Sequence, residues 1–250
     1  MQSAKQLYLD LLKRCLCNVI YQDRSVLEGR DQPFDLGKRV EGRDWPAQAH
    51  TMIGLHRLDN LHFCVEDVLA RKVPGDLMET GVWRGGATIL MRAILKVNGE
   101  TDRLVWAADS FEGLPPPNAD KYPLDGPLKL NQFKELAVPL EEVQRNFRRY
   151  DLLDDQVRFL KGWFRDTLPG APVLRLAVLR LDGDLYESTM DALVHMYPKV
   201  SSGGYVIIDD YGDFPACRQA VHDYRARQGI VEEIMPIDGS GVFWLKQATA

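Results

Sequence analysis

Four apolar segments of this 250-residue chain run directly into acidic residues. The first ends in Glu79, the second (104–109) in Asp109, the third carries Asp182 and Asp184 after Leu181, and the fourth (205–210) ends in Asp209 and Asp210. Short apolar runs of this kind read as strands buried in a sheet core. If the sheet is parallel, their C-terminal ends share one edge, where open α/β folds bind ligands. Six carboxylates then crowd that edge. At ~4 Å and an effective dielectric near 20, each close pair costs about 4 kcal/mol. The pattern calls for positive charge: a metal ion, a cationic cofactor, or both.

The surrounding sequence supports the parallel arrangement. Strands are predicted at about 76–80, 104–108, 157–160, 176–181 and 204–208. Helical apolar spacing falls between them, over 86–97, 140–150 and 187–200, and again over 216–228 after the fifth strand. Such alternation implies a doubly wound, mostly parallel α/β sheet. Two last strands near 232–237 and 242–246 flank Asp238-Gly239-Ser240-Gly241, a hairpin signal, giving seven strands in all. Ahead of the first strand, 5–20 and about 47–70 have helical spacing, and the polar stretch 22–45 is expected to be a loop. The segment 112–138, with Pro115, Pro116, Pro117, Pro123 and Pro127, is expected to form a long excursion acting as a lid. The chain is therefore expected to be one domain over 1–250, with a helical cap at 1–72 and the α/β core at 73–250.

Several function classes recede on composition. A net charge of −5 without a strong basic run argues against nucleic acid as the main partner. No apolar stretch approaches the ~18 residues of a membrane span, and no signal peptide is apparent, so a cytoplasmic enzyme is expected. Cys15, Cys17, Cys64 and Cys217 match neither a zinc nor a disulfide framework. The five histidines fall away from predicted strand ends and read as packing or surface residues.

After the first strand comes Glu79-Thr80-Gly81-Val82-Trp83-Arg84-Gly85-Gly86. A glycine-rich turn lets a ligand approach the backbone, although Gly85-Gly86 can equally serve tight helix–strand packing. The pattern is not G-x-G-x-x-G, and Glu79 would repel a pyrophosphate but attract an ammonium. S-adenosylmethionine carries an ammonium and a sulfonium and no phosphate. Asp109 is placed to accept hydrogen bonds from a ribose diol, and Trp83, Trp163 and Phe164 are candidates for stacking or cation–π contact. Asp182 and Asp184 share a face if the strand stays extended, whereas Asp209 and Asp210 converge only if the chain turns. Their all-oxygen character suits Mg²⁺, Ca²⁺ or Mn²⁺. Helix capping is the competing role for Asp210.

The same residues carry a resemblance. Pro74-Gly75-Asp76 through Ala87, Ala108-Asp109-Ser110-Phe111, 156–160 with Gly162-Trp163-Phe164, Asp182-Gly183-Asp184, Ile207-Ile208-Asp209-Asp210-Tyr211 and Pro215-Ala216-Cys217-Arg218 together resemble the macrocin/mycinamicin-type sugar O-methyltransferases of antibiotic biosynthesis. Residues 7–14 and 50–54 match as well, so the likeness spans nearly the whole chain. It implies a class I, Rossmann-like methyltransferase fold using S-adenosylmethionine and Mg²⁺. It implies Asp182, Asp209 and Asp210 as metal ligands and Asp184 as general base. The donor site is expected from Glu79, Thr80, Gly81, Trp83, Arg84, Gly85, Asp109, Ser110, Gly162, Trp163 and Asp182. The acceptor implied is a deoxysugar hydroxyl on a small-molecule glycoside, and the family suggests a homo-oligomer, dimeric or larger. A catechol-type methyltransferase and a metal-dependent glycosyltransferase are the rival readings.

Overall fold

The computed structural model describes residues 2–247. Along the chain lie α1 (Ala4–Leu16), α2 (Leu36–Glu41), α3 (Gly54–Ala70), β1 (Asp76–Thr80), α4 (Gly86–Val97), β2 (Val105–Asp109), α5 (Leu140–Arg149), β3 (Val157–Lys161), the one-turn α6 (Phe164–Thr167), β4 (Leu176–Leu181), α7 (Tyr186–Met196), β5 (Val200–Ile208), α8 (Pro215–Gln228), β6 (Met235–Pro236) and β7 (Val242–Leu245). Among the described residues the strands form a seven-stranded sheet in the order β3-β2-β1-β4-β5-β7-β6. β1 to β5 are parallel, and β7 runs antiparallel to both β5 and β6. The order reverses between β1 and β4. That reversal leaves a crevice beyond the strand C-termini, the place where doubly wound sheets receive ligands.

Two apolar layers sandwich the sheet. On one face Leu58, Leu61, Val65 and Val68 of α3 join Leu9, Leu12 and Leu16 of α1, the body of α4, and Leu77, Val105 and Val178 of the strands. On the other, Leu193 and Met196 of α7 and Ala220, Val221 and Tyr224 of α8 pack on Met78, Leu179, Val206 and Trp244. The N-terminal helices thus share a core with the sheet. α4 is apolar on nearly every side because α1 and α3 cover its outer surface.

The structure corrects several expected boundaries. The stretch 22–45 is not all loop: α2 forms within it, with Asp35 accepting the Lys38 amide at 3.0 Å and Gly42 closing it at φ 66°. Its two ends carry a recognisable cap on each side. The helix expected from about 47 begins only at Gly54, because the preceding segment is drawn onto α1, where the His50 and Thr51 amides both donate to the Leu16 carbonyl. α7 ends at Met196, a 3₁₀ turn spans Tyr197–Lys199, and β5 begins at Val200.

The excursion 112–138 contains three 3₁₀ turns (Pro123–Asp125, Leu130–Gln132 and Lys134–Leu136). It is held by named contacts. Asp125, fully buried, accepts the Tyr186 amide at 2.6 Å and the Glu187 amide at 3.1 Å, satisfying the otherwise uncapped N-terminus of α7. Trp83 Nε1 donates to the Glu135 carbonyl at 2.9 Å, and Phe133 meets Trp45 edge-on at 5.2 Å.

Candidate active site

The turn after β1 is shaped by close chain crossings. Gly81 (φ 88°) passes so near the Asp182 carbonyl that a Cβ would lie 1.7 Å from it. A Cβ on Gly86 would lie 2.5 Å from the His50 carbonyl, whose oxygen accepts the Gly86 amide at 2.8 Å. The chain's own backbone, and not an approaching ligand, explains these two glycines. Asp109 braces the turn: one oxygen accepts the Val82 and Trp83 amides at 2.6 and 3.2 Å, the other the Phe111 amide at 2.7 Å. The ribose contact expected of Asp109 has only the accepting capacity left over from these three bonds.

The acidic residues of β4 and β5 converge because both strands stop just before them. The ladder continues one residue past each strand, with Asp182 N donating to Thr80 O at 2.8 Å and Asp209 N to Leu181 O at 2.9 Å. The chain then turns. Asp184 sits in the left-handed region (φ 56°), and its amide donates to Asp210 Oδ2 at 3.0 Å. An extended strand is thus not what brings Asp182 and Asp184 together. Asp210 does not cap α8, whose N-terminus at Phe214 has no side-chain cap. Asp182, Asp209 and Asp210 each bring one oxygen to within 4.8 Å of the others.

Positive charge is already present there, which corrects the expectation that it must all come from bound groups. Arg180, the penultimate residue of β4 and 1% exposed, lies at this end of the sheet. It donates to Glu79 Oε1 at 2.5 Å and Asp182 Oδ2 at 2.8 Å, and its other terminal nitrogen pairs with Asp209 Oδ1. Arg57 of α3 pairs with Asp209 Oδ2 and with Asp238 Oδ2 at 3.1 Å, and it donates to the Gly42 carbonyl at 3.0 Å. Burial acts to lower Arg180, yet Asp209, Asp182 and Glu79 outweigh it and hold the guanidinium well above its ordinary value.

Two arginines do not balance the rim. Among the described residues no lysine or arginine pairs with Asp184 or Asp210. Burial, then the neighbouring carboxylates, push both well above the usual carboxylate range, and Asp182 rises to about 6 for the same reasons with Arg180 opposing. The only partly compensated, all-oxygen donor set of Asp182, Asp209 and Asp210 fits a hard divalent cation such as Mg²⁺. Glu79 is 2% exposed, and its Oε2 has no partner although it borders the cleft. A buried acceptor left open in this way fits a cationic ligand group.

Arg57 and the carboxylates of Glu79, Asp182, Asp184, Asp209 and Asp210 border one cleft of about 1420 Å³, solvent at the mouth included. Trp83, Trp163 and Phe164 line it, with Asp109 and Ser110 on one side and Trp45, Leu114, Leu130 and Leu136 forming an apolar wall.

The sequence matches the macrocin O-methyltransferase (TylF) family over residues 5–246. The chain belongs to that family. It is 59% identical over its whole length to the 8-demethyl-8-(2,3-dimethoxy-α-L-rhamnosyl)-tetracenomycin-C 4′-O-methyltransferase of Streptomyces olivaceus, covering 96% of that protein. It is 56% identical, over 97% of each chain, to the mycinamicin III 3″-O-methyltransferase of Micromonospora griseorubida. The solved structure of the O-methyltransferase NovP superposes with a TM-score of 0.93 at 55% identity, covering 98% of this chain and all of that one. The class I methyltransferase fold expected from the resemblance is thereby established, and S-adenosylmethionine is the donor that goes with this enzyme class.

Within this macrocin-type methyltransferase, Glu79, Gly81, Trp83, Asp109, Ser110, Trp163, Asp182, Asp184, Asp209 and Asp210 border the cleft. Four residues expected at the donor site do not. Thr80 is buried inside the sheet, and Gly85 packs against Val143. Gly162 donates its amide to the Asp109 carbonyl at 2.9 Å and faces Thr167. Arg84 turns away to donate to the Pro46 and Ala49 carbonyls, each at 2.9 Å, while its guanidinium covers one face of Trp83 at 4.1 Å. That face of the indole is closed to a ligand. Arg180 and Arg57 were not anticipated from sequence. A single arginine inside the apolar run 176–181 was the available signal for Arg180, since a lone buried charge demands partners. Arg57, one polar position among several on α3, gave none.

Proposed function

We propose that this methyltransferase transfers a methyl group from S-adenosylmethionine to a sugar hydroxyl of a glycosylated natural product, with Mg²⁺ held by Asp182, Asp209 and Asp210. The observation that carries the reading is the convergence of that triad, Asp184 and the open oxygen of Glu79 on one cleft. The sugar acceptor is supported by two relatives whose names specify a rhamnosyl 4′ position and a 3″ position.

The chain's own residues divide the work. Glu79 Oε2 receives the ammonium of the donor. Trp163 and Phe164 wall the cleft on the donor side. Asp184 is the general base: it faces the cleft, no cation among the described residues pairs with it, and burial with the neighbouring carboxylates raises its proton affinity. Asp210 fixes the Asp184 backbone through the 3.0 Å amide bond. Arg180 connects the donor side to the triad by gripping Glu79, Asp182 and Asp209 together. Trp45, Leu114, Leu130 and Leu136 exclude water and receive the apolar aglycone. Bound Mg²⁺ supplies Lewis acidity toward the acceptor oxygen. Holding both substrates in one cleft contributes on the order of 7–11 kcal/mol to lowering the barrier.

The test is a methyl-transfer assay on a panel of glycosylated aromatic and macrolide acceptors, with and without EDTA. Transfer to a sugar hydroxyl that stops in EDTA and returns with MgCl₂ is expected. Full transfer in EDTA removes the metal from the reading, and transfer only to aglycone phenols removes the sugar. The homo-oligomer is part of the same proposal, supported by the exposed apolar row Leu7, Tyr8 and Leu11 on α1. Light scattering that gives a monomer mass overturns it. None of the described helices is long and apolar enough to cross a membrane.

A further inference from the structure

Asp209 differs from its neighbours in the triad because both its oxygens are already taken. Arg180 holds Oδ1 and Arg57 holds Oδ2. The two arginines are not equivalent. Arg180 is enclosed by three carboxylates, Glu79 of β1 and the residues just past β4 and β5, and it stands in register beside Glu79. Buried to 1% exposure and held by three carboxylates, it is a fixed part of the sheet edge. Arg57 has a second carboxylate already in hand, Asp238 of the β6–β7 hairpin, and a backbone acceptor, the Gly42 carbonyl. Its surroundings are built closely around it: a Cβ on Gly42 would lie 2.5 Å from its terminal nitrogen, and one on Gly241 3.0 Å from its Cδ.

We infer that Arg57 is the resident counter-ion of Asp209 and yields the Oδ2 position to an incoming divalent cation while it keeps its hold on Asp238 and Gly42. The inference rests on the metal reading proposed above. Arg57 is a positioning residue: in the ion-free protein it keeps Asp209 oriented and its charge matched, and it sets how readily an ion enters. Asp238 is the other half of the exchange, because it gives the released guanidinium a place to go. Arg57 also joins α3, the end of α2 at Gly42, and the closing hairpin to Asp209.

The two partners therefore act with opposite sign. Isothermal titration of MgCl₂, with MnCl₂ in parallel, into the protein without donor or acceptor reads this directly. Arg57→Gln is expected to bind about tenfold more tightly than the parent, the size of removing one charge-assisted competitor. Asp238→Asn is expected to bind about tenfold more weakly, because Asp209 is then the one carboxylate left to the arginine. Arg57→Lys, which keeps the charge without the three-way fork, should fall between the parent and Arg57→Gln. A merely structural arginine would give weaker binding in every variant. Equal or weaker binding by a folded Arg57→Gln overturns the inference. If that variant fails to fold, Arg57→Lys decides, and binding no tighter than the parent overturns the inference. A parent protein that takes up neither ion brings down the metal reading itself, and this inference with it.

Discussion

Two buried arginine clusters in this protein use the same ingredients to opposite ends. In the N-terminal segment, Arg39 is 1% exposed and sits between Asp23, at 2.7 Å, and Asp44, at 3.0 Å. It also donates to the Cys17 and Asp23 carbonyls, each at 2.9 Å, and Asp23 accepts the Gln48 amide at 2.6 Å and Asn18 Nδ2 at 2.7 Å. Every strong group there has a partner inside the chain. At the sheet edge, Arg57 and Arg180 face Glu79, Asp182, Asp184, Asp209, Asp210 and Asp238, and one oxygen of Glu79 has no partner at all. A closed network fixes a segment. An open one, held in place but short of positive charge, leaves room for the bound cation proposed above. Buried acidity alone does not mark a functional site; unmatched acidity on a cleft does.

The comparison breaks most sharply under substitution. Asp184→Asn is expected to lower turnover by about 10²–10⁴-fold, the usual worth of a general base, with donor binding by titration unchanged. Near-parent turnover would take Asp184 out of the mechanism. Arg39→Met is expected to cost about 3–5 kcal/mol of stability in urea unfolding, because two buried carboxylates lose their cation. Addition of MgCl₂ should not restore that loss, and a full rescue would mean the two clusters are not distinct.

The pH dependence sharpens the same contrast. Asp182, Asp184 and Asp210 have raised folded-state values, so the stability they contribute is fully present below the unfolded carboxylate value near 4 and is lost as pH rises through about 6 and beyond. A divalent ion relieves that loss only once the protons have left. The rise in melting temperature produced by MgCl₂ should therefore be larger at pH 8 than at pH 5.5, as scanning calorimetry can determine. An equal rise at both would place the ion elsewhere. The smallest effect expected is at Asp125, which belongs to the satisfied class: Asp125→Ala removes a helix cap worth about 1 kcal/mol, measured by chemical unfolding, and should leave ion affinity as it was.

The sheet and the acidic rim were legible in sequence because both depend on local pattern. The span of α4 is fixed by the glycine turn before Gly86 and a dense apolar run, and Asp182, Asp209 and Asp210 follow directly on strands whose apolar character is plain. What was hidden depends on distant partners. α3 starts late because Leu16 claims the amides of His50 and Thr51. Arg84 and Gly85 look like ligand contacts beside Trp83 but serve the segment at 46–49 and the side chain of Val143. Arg57 reaches Asp209 across 152 positions of sequence, and no spacing announces such a pair. Asp109 was read correctly as the last residue of β2, yet the amides of Val82, Trp83 and Phe111 that its carboxylate accepts emerge only once the turn is folded.

The most direct test of the open-network account is a crystal of the protein grown with MnCl₂ and examined for anomalous scattering. The account predicts one strong peak among the carboxylates of Asp182, Asp209 and Asp210, and none beside Arg39. A map without a peak at the sheet edge, at an ion concentration that supports methyl transfer, would contradict it.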